Sequence, residues 1–241
     1  MPLPLIKILA DLAEGGPATE PRGASVLRMN RQASAPRAST PPSVQQALAL
    51  HRQGRLNEAG QIYDAILSAN PIDFDALHLG GVLKHQQGRS AEALRLVAAA
   101  LKVRPASADV LTNYGVILDA LKRHQEALES FDKALAMRSG DAAALYYNRG
   151  NALKHLGRQA EALASYDRAL AVAPAHIDAL HNRGALLAAL GRHEDALAQY
   201  EKVLALRPRH AAVLNRKGNA LAALGRPQDA LPPTMRRSRS M

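Results

Sequence analysis

Apolar residues return along this chain on helical stripes. Leu180, Gly184 and Leu187 stand at i, i+4 and i+7, one face of an α-helix. Gly191-Arg192 then interrupts the stripe, since glycine tolerates the left-handed geometry that closes helices. Ala196, Leu197, Tyr200 and Val203-Leu204 form a second stripe, and Pro208 ends it because its ring cannot continue the hydrogen-bond ladder. The alternation and Val/Ile/Thr enrichment of strands are scarce, so the pattern predicts helix, short turn, helix, turn from about Ser43 onward.

That unit repeats. An alanine recurs at Ala59, Ala93, Ala127, Ala162, Ala196 and Ala230, with steps of 34 residues and a single step of 35. Glycine keeps the same beat at Gly81, Gly115, Gly150, Gly184 and Gly218, and proline joins at Pro71, Pro105, Pro174 and Pro208. A turn glycine recurs at Gly54, Gly88, Gly157, Gly191 and Gly225, with Lys122 in its place in the third repeat. A fixed period of this size predicts stacked helical hairpins, each burying its apolar face on the next. The expected fold is an all-α, right-handed α-solenoid of five complete hairpins and a partial sixth. The hairpins run over about 41–73, 74–107, 108–142, 143–176, 177–210 and 211–231. The extra residue belongs in an inter-repeat loop, where Met137–Asp141 replaces the proline-containing turn. The small markers are expected to let helices approach closely. Pro232-Pro233 cuts the sixth repeat short, so the stripe Leu214, Leu221 and Leu224 is expected to lack cover and to allow self-association.

Composition adjusts the picture at the ends. Residues 1–40 are a predicted flexible leader, because 14–43 is rich in Pro, Ala, Ser, Gly and Thr and holds few large apolar groups. Met29 is a candidate initiator within it. The absence of cysteine removes disulfides and thiolate metal sites and fits a cytoplasmic setting. No run of 18 apolar residues exists, so no membrane span is expected. The net charge is +10, but half of it lies in the leader and in the basic tail 232–241, which holds Arg236, Arg237 and Arg239. The repeats interleave basic with acidic residues, which argues against a specific nucleic-acid surface.

Candidate chemistry sits on the first helix of each hairpin. Two places before the marker glycine stands an asparagine in three successive repeats, Asn113, Asn148 and Asn182, with Arg216 in the sixth. Asn151 and Asn219 follow the glycine by one. Asparagine is a mediocre helix former, so its recurrence at one register favours a function. Each amide offers a donor and an acceptor, which suits the backbone of an extended peptide. The expected groove row is Asn113, Asn148, Asn151, Asn182 and Arg216, with Tyr147, Lys154, His181 and Asn219 tuning specificity. Asp75, Asp109 and Asp178 fall in the first turn of a first helix, where negative charge complements the helix dipole. The nine histidines show no metal-ligand spacing and are expected to be solvated, with no metal and no cofactor. No phosphate loop, nucleophile elbow or dinucleotide fingerprint occurs, so no enzyme is expected.

Together the markers resemble the tetratricopeptide repeat, two antiparallel helices per 34 residues with the pattern W-x2-L-G-x2-Y…A-x3-F…P. The A-x3-aromatic element stands as Ala59…Tyr63, Ala127…Phe131, Ala162…Tyr166 and Ala196…Tyr200, with Val97 departing from it. The resemblance covers about residues 40–231 and implies a scaffold that binds a protein or extended peptide in a concave groove. The asparagine register is also similar to the superhelical arm of O-linked N-acetylglucosamine transferases. That likeness implies, as an alternative, the substrate arm of such a glycosyltransferase without its catalytic module. The carboxylate clamp of chaperone-binding co-chaperones is matched at Asn151, Asn182 and Arg216. Tyr147 and Ala212 stand where that clamp needs lysines, so it is not expected.

Overall fold

A computed structural model describes residues 43–137 and 141–230. The leader with Met29, the tail 232–241 and part of the inserted loop lie outside the described residues. Within them the chain forms eleven α-helices and a final 3-10 turn, with no strand. It divides at Arg104 into two compact units. The first unit carries α1 (Val44–Arg52), α2 (Leu56–Ala69), α3 (Phe74–Gln86) and α4 (Ser90–Val103). The second carries α5 (Ala108–Ala120), α6 (His124–Ala136), α7 (Ala142–His155), α8 (Gln159–Val172), α9 (Ile177–Ala189), α10 (His193–Leu206), α11 (Ala211–Ala223) and the turn Pro227–Ala230. This is a helical solenoid of hairpins, as the period predicts.

Local chemistry sets each boundary. Gly54, Gly88, Gly157, Gly191 and Gly225 all have φ between 69° and 78°, the left-handed conformation that lets a first helix turn into a second. Lys122 adopts the same conformation at φ 61° without glycine's freedom. Asn70, Arg104, Ala173 and Arg207 each precede a marker proline and sit extended, near φ −135° and ψ 90°, because the proline ring disfavours helical geometry before it. Met137 precedes no proline and stays helical. Asp73, Asp141 and Ser43 cap their helices by accepting backbone N–H groups. The second helices open instead on an arginine paired with an acid three residues on, from Arg55–Glu58 to Arg226–Asp229, once in each of the six repeats. These pairs are exposed and stabilise little individually.

The marker glycines pack as expected where a second helix exists. A Cβ at Gly115 would lie 2.5 Å from the Phe131 ring, at Gly150 2.6 Å from Tyr166, and at Gly184 2.7 Å from Tyr200. At Gly81 it would meet Val97 at 2.5 Å, so valine fills the aromatic's place in that repeat. Ala59, Ala93, Ala127, Ala162 and Ala196 are wholly buried. Gly218 is different: among the described residues nothing lies within 4 Å of its Cβ position, and the sixth hairpin's second element is described as far as the turn Pro227–Ala230. The expected bare leucine stripe is corrected in part. Leu214 is 47% exposed, but Leu221 is buried against the cluster of Leu187, Leu197, Tyr200 and Val203.

Candidate functional site

The residues predicted to form a groove row all fall in the second unit, on α5, α7, α9 and α11. Asp109 and Asp178 occupy first turns of α5 and α9, and Asp75 that of α3, as the dipole argument requires. Asn113 is buried at 3% exposure and has a partner within the protein. Tyr147, Asn148, Asn151, Lys154, His181 and Asn182 are half-buried, and Arg216 and Asn219 are exposed. The register is therefore graded from buried to exposed along the unit.

Three of these residues meet. Asn182 Nδ2 donates to Asn151 Oδ1 at 2.8 Å and to the Tyr147 hydroxyl at 3.3 Å. The Tyr166 hydroxyl donates to the same Asn151 oxygen at 2.7 Å. Tyr166 comes from α8, so one network ties α7, α8 and α9 across the fourth and fifth repeats. Burial pushes the Tyr147 and Tyr166 phenols up, which keeps both protonated and able to donate. The bonds also orient the amides. Asn151 has its oxygen taken twice and keeps its N–H groups as donors, while Asn182 keeps its oxygen as an acceptor. Two amides 31 positions apart thus offer the complementary halves of a peptide unit. Among the described residues no hydrogen bond joins Asn148 or Asn219 to this network.

Charge gathers beside it. Burial lowers the His181 pKa, and the nearby cations Arg216 and Lys154 and the His210 ring lower it further against the pull of Asp178. The His181 and His210 rings lie 5.7 Å apart, and the Tyr147 ring stacks 5.0 Å from His176. His176 is also held as the N-cap of α9, its Nδ1 accepting from the Ala179 amide. Other basic side chains are engaged elsewhere: Arg149 bonds Asp132, Arg183 bonds Asp167 and Lys217 bonds Glu201, each joining a first helix to the second helix before it, and Arg149 also bonds Ser165 of its own hairpin.

The expectation that the histidines are solvated is corrected. His51 and His78 are buried at 4% and 7% exposure, and desolvation lowers both pKa values, that of His78 to about 4. His78 lies between Leu77 and Leu79, both core residues, and its ring packs 6.1 Å from Phe74. His124 and His155 gather on Asp119 in the second unit. The sequence reading also missed Tyr166 and His176. Tyr166 was visible only as a packing aromatic, and His176 only as a residue preceding a helix.

Models of the tetratricopeptide repeat match residues 81–142 and 181–240, and a second model of the same repeat matches 141–209. Together they span well over half of the chain. The chain belongs to the tetratricopeptide repeat family. No curated protein matches it. Among solved structures it is similar to PilW, a type IV pilus biogenesis factor, with a TM-score of 0.73 at 24% identity over 81% of this chain and 89% of that one. It is similar to PilF of Pseudomonas aeruginosa at 0.69 and 19%, over 78% and 84%. YrrB, described as a TPR protein with an unusual peptide-binding site, matches at 0.61 and 24%, over 72% and 89%. At these identities the likeness is one of fold. Among the described residues no helix is long and apolar enough to cross a membrane.

Proposed function

We propose that the chain is a non-catalytic scaffold whose first-helix face in the second unit holds an extended segment of a partner protein. The observation that carries this reading is the Tyr147–Asn151–Asn182–Tyr166 network. It fixes a donor and an acceptor side by side on a half-buried surface, so a peptide backbone meets preoriented groups and loses less entropy on binding. Asn148, Lys154, His181, Arg216 and Asn219 flank that pair and set which side chains the segment carries, with Arg216 favouring acidic ones. Backbone recognition tolerates many sequences, which suits an adaptor. Basic and acidic residues interleave along the repeats and pair between helices at Arg149, Arg183 and Lys217, which supports a protein segment over nucleic acid.

The alternative of a glycosyltransferase substrate arm rests on the asparagine register alone. Asn113 is buried and Asn182 is bonded to Asn151 and Tyr147, so the register serves packing as well as any ligand.

The experiment is selection of unstructured peptides from a displayed random library against the full chain, followed by calorimetric titration of the best binder. Arg216→Ala and Asn148→Ala are expected to weaken binding by about tenfold together, on the order of 1.4 kcal/mol, with unchanged helicity. Asn182→Ala is unsuitable as the primary test because it also removes two internal hydrogen bonds. Equal affinity of the double variant and the natural chain would reject the assignment.

A further inference from the structure

Asp119, His124 and His155 bring one ligand atom each within 4.8 Å of one another. Asp119 stands in the last turn of α5, His124 opens α6 and His155 ends α7. The Asp119 carboxylate oxygen Oδ1 lies 2.6 Å from His124 Nδ1 and 3.2 Å from His155 Nδ1. The two imidazole rings are 4.6 Å apart and tilted by 45°. Asp119 and His124 are 22% and 21% exposed at the side chain and His155 is 41%, so the cluster opens to solvent on the His155 side.

Half of this arrangement has an ordinary explanation. In the second repeat His85 Nδ1 lies 3.0 Å from Ser90 Oγ, at the same spacing of five residues and the same place in the hairpin. The Asp119–His124 contact is thus the third repeat's version of a link across the turn. His155 is not part of that link. It comes from the next repeat, 36 residues after Asp119, and aims the same ring nitrogen at the same oxygen. Two imidazoles and one carboxylate, all on secondary structure, form a donor set suited to a borderline divalent ion.

We propose that Asp119, His124 and His155 bind a divalent transition-metal ion of the zinc class through Asp119 Oδ1 and the two Nδ1 atoms. Around an ion with bonds of about 2.0–2.1 Å, neighbouring ligand atoms sit roughly 3 Å apart. The Asp119–His155 edge already has that length, the 2.6 Å Asp119–His124 edge opens slightly as the ion replaces the hydrogen bond, and rotation of the more exposed His155 ring closes the third edge. Three protein ligands leave at least one coordination position for water or for a donor from a partner. Lys154 lies within electrostatic reach of Asp119 and competes with the ion for its charge.

The test is calorimetric titration of the full chain with Zn2+, paired with the visible absorption spectrum of Co2+ added in its place. The expected result is one equivalent bound, with affinity falling by tenfold or more in His155→Ala and in Asp119→Asn, and unchanged in His210→Ala. Lys154→Ala is expected to keep or tighten binding. His155→Ala removes the more exposed ring, and Asp119→Asn keeps the carboxylate's shape, so both retain the fold, which thermal melting checks. No binding at millimolar Zn2+, or binding that survives His155→Ala and Asp119→Asn, overturns the proposal.

Discussion

Gly184 and Gly218 occupy the same register in successive repeats, yet alanine at the two is expected to shift stability in opposite directions. In a helix interior alanine is favoured over glycine by about 1 kcal/mol. At Gly218 nothing among the described residues lies within 4 Å of the new methyl, so Gly218→Ala is expected to gain close to that amount. At Gly184 the methyl would sit 2.7 Å and 3.1 Å from two carbons of the Tyr200 ring and 3.2 Å from the Gln199 Cβ. Tyr200 is 1% exposed and embedded in the cluster of Leu180, Leu187 and Val203, so the ring has no room to retreat. Overpacking of this kind costs about 1–3 kcal/mol, which outweighs the propensity gain and leaves Gly184→Ala destabilised by about 1 kcal/mol. Urea unfolding of the full chain, followed by far-ultraviolet circular dichroism, reads both changes as displacements of the midpoint at constant slope. Displacements of the same sign would refute the packing account. So would an unchanged midpoint in Gly184→Ala.

Two further outcomes follow from the geometry. Lys122 carries the left-handed backbone that glycine carries in the other repeats, a conformation costing a side-chain-bearing residue about 1–2 kcal/mol. Lys122→Gly is therefore expected to stabilise the chain by about 0.5–1 kcal/mol, after the extra chain entropy of glycine is deducted, while Gly157→Lys should destabilise it. Thermal melting of the two variants checks this, and a lower melting point for Lys122→Gly would contradict it. His78 has its pKa depressed to about 4 by burial, so the unfolded chain binds its proton more readily than the folded one. The stability this contributes is full above about pH 6.5, the unfolded value, and is lost as pH falls toward 4, with an upper bound of roughly 3 kcal/mol. Burial lowers His51 and His85 as well, and they act in the same direction. Urea midpoints measured from pH 7 to pH 4 are expected to fall less steeply in His78→Leu than in the natural chain, and parallel curves would contradict the assignment.

The architecture was legible because each marker does a local job. The turn glycines need positive φ, the prolines force extended backbone on the residue before them, and the first-helix glycines of the second to fifth repeats lie under an aromatic ring or a valine. Even the exception at Lys122 could be located by register, though only the backbone angle shows what lysine endures there. The site was less legible. Tyr147, Asn151 and Asn182 stood out by type and register, but a bond between residues 31 positions apart depends on how two hairpins stack, and no spacing rule encodes that. Tyr166 carries two roles with one residue, its ring covering Gly150 and its hydroxyl reaching Asn151. His78 was misplaced because its polar type was weighed above its position between Leu77 and Leu79. Asp119, His124 and His155 lie 5 and 31 residues apart in sequence, across three helices, and resemble no ligand motif.

The central claim, that a partner's extended segment lies along the first helices of the second unit, is tested most directly by site-specific photo-cross-linking. A photoreactive phenylalanine analogue is placed at Asn219, exposed on α11, and separately at Lys202, exposed on α10. The full chain is then irradiated with the selected peptide. The account requires a covalent peptide adduct from position 219 and none from position 202. Adducts from position 202 alone would place the binding surface on the second helices and contradict it.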